Sequence, residues 1–149
     1  MVDVLHYVRF TLPDQTGYSI RTAAIAAAQR RRGLDVAVAV HTSADAGRTG
    51  LPERIEVEGV PHLRAPARLA RPRLFRHPRA PVDDYAAYLQ EALGGPPAVV
   101  HAHSPGMLMD DAARLARRWG SQLVYEVRGF WGGDWRIERA AARRADRVL

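Results

Sequence analysis

Two charged residues follow an apolar stretch that is typical of a buried strand. Glu126 and Arg128 come directly after the apolar residues 123–125 and precede a segment rich in glycine and aromatic residues. Because side chains two positions apart on a strand share one face, the two charges would lie together. Arg128 could bind a phosphate group through its guanidinium fork, while Glu126 could accept a hydrogen bond from a sugar hydroxyl or orient Arg128. A purely structural ion pair explains the same spacing equally well.

Two histidines take a similar position at the end of another short apolar run. His101 and His103 also alternate, so they would share a face near a strand end. This spacing could begin a metal site, but no third ligand is obvious and there is no HExxH pattern. Polar groups that are satisfied at a strand end are the more common case, and His103 could also shuttle a proton or donate to a substrate hydroxyl. We therefore expect no metal and no other cofactor.

The rest of the chain alternates between strands and helices. Segments typical of strands lie at 2–8, 35–41, 54–57, 98–102, 121–127 and near the end at 145–149. Segments with helical spacing lie at 18–32, 83–93, 106–119 and 135–145. This order predicts an α/β fold, a Rossmann-like open parallel sheet with helices on both faces, formed by one domain over residues 1–149.

The chain is basic, with a net charge of +6, and all 22 of its basic side chains other than histidine are arginines. From Gly59 to Val82 there is no acidic residue, and the prolines there disfavour a regular helix. We interpret residues 60–82 as an extended basic excursion, either a solvated loop or a surface for an anionic acceptor or membrane headgroups. The candidate anion contacts are Arg64, Arg68, Arg71, Arg73, Arg76 and Arg79. Phe75 is the only aromatic residue there, so no nucleic acid is expected.

The composition limits which kinds of site the protein can have and where in the cell it is expected. The chain has no cysteine, which excludes disulfides and thiolate metal sites. No apolar run approaches the roughly 18 residues that a membrane-spanning helix needs, and the first residues do not form a secretory signal. We expect a cytoplasmic protein, with peripheral contact at the inner face of the membrane as a further expectation.

The motifs together resemble the N-terminal domain of family 4 glycosyltransferases of the GT-B fold. The resemblance rests on LPDQTGYSIRTAAIAAAQRRRG at 12–33, PAVVHAHSP at 97–105, LVYEVRGFW at 123–131 and ERAAARRADRVL at 138–149. It covers nearly the whole chain, and the form YEVRGFW is closest to the branch associated with exosortase and exopolysaccharide loci. Such a chain would be one half of a GT-B architecture.

The resemblance implies an acceptor-side domain that helps to move a sugar from a nucleotide-sugar to a glycan or lipid-linked acceptor. The C-terminal donor-binding domain is absent from these residues and would be supplied in cis or by a partner chain. The implied reaction is a retaining transfer that requires no metal and no protein nucleophile. We expect little or no turnover by this chain alone.

The resemblance also assigns expected roles to individual residues. Gly17 matches a glycine whose backbone approaches the donor diphosphate, and Thr16 stands where the family often has another glycine. The catalytic candidates are His103, Glu126 and Arg128, and Arg128 occupies the region where many members carry a histidine that touches the donor sugar. The acceptor-binding candidates are Tyr18, Arg21, His103, Arg128, Phe130 and Trp131.

A second hypothesis comes from a different class of protein. The chain could be a stand-alone, non-catalytic Rossmann-like module that binds an anionic glycan or a lipid phosphate through its arginines. A decayed fragment without function is the third hypothesis.

Overall fold

A computed structural model of the protein describes residues 1–42, 50–66, 69, 80–129 and 135–149. Within these residues the strands are β1 Val4–Val8, β2 Val36–Val40, β3 Arg54–Val57, β4 Val60–Leu63, β5 Val99–His103, β6 Gln122–Glu126 and β7 Arg147–Val148. They form one sheet in the order β3-β4-β2-β1-β5-β6-β7. Every neighbouring pair is parallel except β3 with β4, which is antiparallel.

Four helices flank this sheet in the part of the chain that the structure describes. They are α1 Gly17–Arg31, α2 Ala80–Ala92, α3 Met109–Trp119 and α4 Trp135–Ala142, and a short 3-10 helix, Gly106–Leu108, leads into α3. None of them is long and apolar enough to cross a membrane. The predicted α/β fold is confirmed, including the final strand, β7, which pairs with β6.

The alternation of side chains along β2 shows how the sequence divides the core. Val36, Val38 and Val40 pack in one cluster with Ala26 of α1. Ala37 and Ala39 point to the other face, where they join the cluster that includes residues of α2 and α3. All five residues of β2 are buried. A strand covered on both faces needs a continuous apolar run, and the VAVAV segment supplies it.

The connections place a ligand crevice in the middle of the sheet. The chain runs outward from β1 to β2 on one side and returns to β5 on the other side of β1. At such a switch point the loops that follow the two central strands diverge and leave a crevice at their carboxyl ends. The loop that follows β1 leads into α1, so the start of this helix lies at the same edge.

One part of the sequence interpretation is wrong. Residues 60–63 do not belong to a basic excursion; they form β4, which pairs with β2 and β3. The turn that precedes β4 lies at Glu58 and Gly59, whose φ values are 50° and 76°. The prolines at 61 and 66 suggested irregular chain, but a proline is compatible with a strand at positions where no ladder donor is needed.

Arg64 is not a surface contact for anions either. It is 3% exposed, and its Nη2 donates to the backbone oxygens of Thr11 and Leu12 at 3.2 and 3.0 Å. These contacts secure the loop between β1 and α1, so Arg64 has a structural task. The remaining predicted anion contacts, Arg68, Arg71, Arg73, Arg76 and Arg79, lie outside the described residues.

A buried carboxylate fixes α4 to the end of β5. Glu138 is 4% exposed, accepts a hydrogen bond from the backbone N–H of Gly106 at 2.9 Å, and accepts another from the hydroxyl of Tyr125. The backbones approach closely here, because a Cβ on Gly106 would stand 2.9 Å from the backbone oxygen of Ile137. Glycine is therefore required at this position for packing.

We predict that Gly106→Ala lowers the free energy of unfolding by about 1–3 kcal/mol, the usual cost of overpacking. The added methyl group would meet backbone, which cannot rotate away as a flexible side chain can. Urea denaturation measures the change. Gly17→Ala is the matched control, since a Cβ there meets nothing within 4 Å, and it should leave stability unchanged or raise it by up to about 1 kcal/mol. Equal stability of the two variants would contradict the proposed packing constraint.

We also predict that acid destabilises the fold through His62. Burial, the largest cause, and Arg64 lower the pKa of His62 from 6.5 to about 4, against the opposing effect of Glu56. Between these values the unfolded chain binds more protons than the folded one, so stability falls as the pH falls from 6.5 to 4. The loss from His62 alone is about 3 kcal/mol. His62→Phe should show a correspondingly shallower pH dependence of unfolding, and identical slopes would contradict this prediction.

Candidate functional site

A crevice opens at the carboxyl ends of β1, β5 and β6, beside the first turn of α1. Residues of β1, β5 and α1 line it together with residues of the loops that follow β1, β5 and β6, including Arg9, Phe10, Tyr18, Thr22, Ser104 and Arg128. This is the position that the strand order requires for a ligand site. The sequence placed its candidate residues at the same strand ends.

The start of α1 is capped internally but is open on its outer side. Thr16 is the N-cap: its hydroxyl accepts a hydrogen bond from the N–H of Ser19 at 3.1 Å, and its own N–H donates to Ser19 Oγ at 2.9 Å. Gly17 follows, with nothing within 4 Å of the place where a Cβ would stand. Its φ is not in the left-handed region, so neither conformation nor internal packing requires glycine there. A ligand that approaches the backbone closely would require it.

Beneath α1 lies a group of buried polar side chains that we call the Glu126 cluster: His6, His101, His103, Glu126 and Arg128. The register places His6 beside His101, and His103 beside Glu126. All four therefore occupy the α1 face of the sheet, where the neighbouring strands carry valines. A buried charge without a partner would greatly destabilise the fold here, so each charged group needs hydrogen-bond or ion-pair partners.

Arg128 donates to both oxygens of Glu126, since its Nη2 lies 3.4 Å from Oε2, and the other partners are divided between the two oxygens. Oε1 accepts from Arg21 Nη2 and from Arg128 Nε, each at 3.0 Å. Oε2 lies 3.2 Å from His103 Nδ1 and 3.4 Å from His101 Nε2. Burial by itself raises the pKa of Glu126, but the two imidazoles and the Arg128 guanidinium favour the carboxylate more strongly and hold its pKa below the usual range. Glu126 is thus ionised.

Arg128 connects three elements, and its guanidinium is engaged in hydrogen bonds within the protein. Its side chain is 2% exposed, and its Nη1 donates to Thr22 Oγ1 at 2.7 Å and to the backbone oxygen of Tyr18 at 3.2 Å. Its backbone N–H donates to Ser104 Oγ at 2.8 Å. Burial lowers the pKa of Arg128, while Glu126 opposes this. Of the two interpretations that the sequence left open, the structure favours the ion pair over a phosphate contact by Arg128.

For His103 too, the sequence left open a structural role and a role as proton shuttle or donor to a substrate. It is 2% exposed, its Nε2 lies 2.8 Å from Nδ1 of His6, and its Nδ1 faces Glu126. No ring nitrogen is left to donate to a substrate hydroxyl. Burial, the largest cause, lowers the pKa of His6 to about 4 and holds that of His103 well below its usual value. Both rings are therefore neutral at neutral pH.

His6 is the residue that sequence reasoning missed. One nitrogen from each ring of His6, His101 and His103 lies within 4.8 Å of the others. The sequence contained a signal for this contact, because β1 and β5 are neighbours in a doubly wound sheet. An interior polar residue at an alternating position of β1 would then meet its counterpart in β5.

The other candidates divide into two groups. Arg21 is exposed at 59% and reaches Glu126 from the surface of α1, and Tyr18 lines the crevice. Phe130 and Trp131 lie outside the described residues.

An open parallel sheet with a crevice at its switch point and an accessible helix start beside it defines a Rossmann-like ligand-binding domain. The family model described as Glycosyl transferase 4-like domain matches residues 16–149. The chain therefore belongs to this glycosyltransferase family, and its fold is the Rossmann-like half of a GT-B enzyme. The match begins at the N-cap of α1, so β1 and His6 precede it. No curated protein matches the chain at a significant level.

We predict that Arg128→Met costs about 3–5 kcal/mol of unfolding free energy, because it leaves the buried carboxylate without its closest buried cation. Arg21→Ala removes the other cation of the same carboxylate, but at an exposed position, and should cost less than about 1 kcal/mol. Urea denaturation of both variants checks the difference. Comparable losses would show that burial does not distinguish the two ion pairs.

Proposed function

We propose that this chain forms the acceptor side of a glycosyltransferase that moves a sugar from a nucleotide-sugar to a glycan or lipid-linked acceptor. The observation that carries the proposal is the open start of α1 at the switch-point crevice of a chain in this family. A second domain, in cis or on a partner chain, would hold most of the donor. We place the protein in the cytoplasm, with contact to the inner face of the membrane, and in the exopolysaccharide-associated branch.

Gly17 supplies the closest approach for the donor diphosphate. The helix field favours an anion at a helix start, and the missing side chain of Gly17 leaves room for it. Arg21 stands one turn further along α1 and is 59% exposed. It adds a positive charge beside the same edge.

The Glu126 cluster has a positioning role in this proposal. Arg128 connects α1 to β6 and to Ser104 after β5, and His103 and Glu126 lie next to it. The start of α1 is thereby held at a fixed position over the strand ends. Preorganisation of this kind is what a binding edge needs when its direct contacts are backbone groups.

The proposed reaction needs no nucleophile from the protein. In a retaining transfer on one face of the donor sugar, the acceptor oxygen bonds to the anomeric carbon as the bond to the diphosphate breaks. The leaving diphosphate takes the proton of the acceptor hydroxyl, so atoms and charges balance. The residues of this chain would orient the acceptor and stabilise the diphosphate, and no metal is required for the transfer.

The test is amide NMR of the purified chain during titration with UDP and GDP. We expect the amides of Gly17 and Tyr18 to shift in a saturable manner. Gly17→Val should fold normally, because its side chain enters open space, but should weaken binding by about tenfold or more, the worth of a hydrogen bond to a charged group. Ile20→Ala, an exposed change on the same helix, is the control and should bind as the parent does.

Two outcomes would overturn the proposal. One is the absence of any saturable shift at the start of α1 with either nucleotide, and the other is unchanged binding by Gly17→Val. Saturable binding of a lipid phosphate or anionic glycan without any response to nucleotides would favour the non-catalytic binding module instead.

A further inference from the structure

Exposed apolar side chains lie beside the crevice, at the edge of the sheet where the strands end. Met107, Trp135 and Ile137 are exposed at 60%, 52% and 46%. Met107 lies in the 3-10 helix that follows β5, and the other two lie in the first turn of α4. The two helices are in close contact, since a Cβ on Gly106 would stand 3.1 Å from Cγ2 of Ile137. Neighbouring apolar side chains with this much exposure indicate an interaction surface.

Two contacts of Arg9 connect this surface to the crevice. Nη1 of Arg9 lies 3.9 Å from Sδ of Met107, and the guanidinium carbon lies 5.2 Å from the centre of the Phe10 ring. Arg9 and Phe10 both line the crevice, so the surface begins where the crevice opens. We call this surface the α4 rim, and its members are Arg9, Met107, Trp135, Ile137 and Arg139.

The exposed face of α4 carries only positive charge. Arg136 and Arg139 are exposed along the helix, and Arg143 is exposed directly after it. The one acidic residue of α4, Glu138, is buried and accepts hydrogen bonds from within the protein. The guanidinium carbon of Arg139 lies 5.6 Å from the centre of the Trp135 ring. A basic and an aromatic side chain are therefore exposed next to each other.

This combination of side chains fits the interface of a lipid bilayer. Tryptophan rings are enriched at the level of the headgroups, and helices that lie on a membrane combine apolar side chains with a basic face. The charge favours a bilayer over a protein as the partner. A bilayer with anionic lipids is negative over its whole surface, whereas a protein partner would need an equally one-sided acidic surface to complement the arginines of α4.

We propose that the α4 rim binds the surface of a bilayer that contains anionic lipids. The three apolar side chains of the rim enter the interface, while Arg136 and Arg139 contact the headgroup phosphates. This places the membrane contact at α4 and the adjoining 3-10 helix. It does not involve Arg64, which was predicted for such a contact but is buried.

The position of the rim gives this contact a purpose, which rests on the proposed function. A lipid-linked acceptor is held in the bilayer by its lipid, so only its polar part extends from the membrane. Arg9 belongs both to the rim and to the lining of the crevice. A domain that is docked through the rim would hold the crevice next to the headgroup layer, and the polar part of the acceptor would enter past Arg9 and Phe10.

The test is sedimentation of the purified chain with vesicles that contain neither acceptor nor nucleotide. We expect saturable binding to vesicles of about 70% phosphatidylcholine and about 30% phosphatidylglycerol, and much weaker binding to phosphatidylcholine alone. Raising the salt concentration from about 0.1 M to about 0.5 M should weaken the binding several-fold, because salt screens the attraction between arginines and lipids.

Methyl NMR of the parent chain identifies the surface in contact without any variant. On nanodiscs of the same lipid composition with a spin label on some headgroups, the methyl signals of Met107 and Ile137 should lose intensity. Leu34 is the control, because it is exposed at 39% but precedes β2 and so lies at the opposite edge of the sheet. Its methyl signals should be retained.

Two double variants with equal loss of charge test the arginines. Each basic side chain near an anionic surface contributes about fivefold in affinity. Arg136→Gln with Arg139→Gln should therefore weaken vesicle binding by about tenfold or more. Arg31→Gln with Arg32→Gln removes the same charge where α1 ends, at the opposite edge, and should weaken binding by about twofold or less because these charges are screened from the bilayer.

Two single variants test the apolar contact. Trp135→Ser should weaken vesicle binding by about tenfold, which corresponds to the loss of one large apolar side chain from a buried position. Leu34→Ser also removes an exposed apolar side chain, but at the opposite edge, and should bind as the parent does.

The proposal is overturned if anionic vesicles bind the parent chain no better than phosphatidylcholine does, up to millimolar lipid; a protein would then be the better partner for the rim. Equal intensity losses at Leu34 and Met107, or equal effects of the two double variants, would overturn it as well. The vesicle assay contains no nucleotide, so its failure leaves the binding proposed at Gly17 standing, and failure of the nucleotide titration leaves the bilayer contact standing.

Discussion

The structure depends on one buried negative charge, the carboxylate of Glu126. It lies at the carboxyl end of β6 on the face that α1 covers, and two arginines and two imidazoles surround its oxygens. Removing such a charge from water is expensive unless every partner is in place. The same constraint fixes the partners: Arg128 must reach Thr22 and Tyr18, and α1 must lie where these contacts can form. Satisfaction of this carboxylate therefore positions the helix whose start faces the crevice.

The two faces of the sheet are stabilised by different kinds of interaction. On the face of α2 and α3, Leu5, Val100 and Leu123 belong to an apolar cluster. Its burial stabilises the fold but does not require particular distances or angles between side chains. On the face of α1, the valines of β2 give way to the histidines of β1 and β5 as the sheet is crossed. Hydrogen bonds and ion pairs act only at particular distances and angles, so the polar face defines the position of α1 more narrowly than apolar packing alone would.

The sequence predicted the class of fold and the order of its elements, because apolar runs such as VAVAV and helices ended by glycine are local signals. It failed at β4, where prolines suggested irregular chain although Val60 and Leu63 are buried. It placed His101, His103, Glu126 and Arg128 correctly at strand ends. It could not give their partners, since the contact between His6 and His103 spans 97 positions and follows only from the strand order. For the same reason the sequence left a structural role and a ligand contact both open for Arg128 and His103: the availability of these side chains depends on neighbours that are distant in the chain.

Because the polar groups at the strand ends are buried among one another, an anion at this edge would have to be bound by other groups. The N–H groups at the start of α1 and the exposed guanidinium of Arg21 are still accessible to an anion, and Gly17 leaves space for it. Backbone N–H groups can recognise the shape and charge of a diphosphate, but they do not distinguish the sugar that is attached to it. A domain of this kind would position the diphosphate for the transfer. Side chains elsewhere would then select the sugar. Specificity in the described part of this edge would then rest on the residues that line the crevice around Phe10 and Tyr18, since these are not members of the Glu126 cluster.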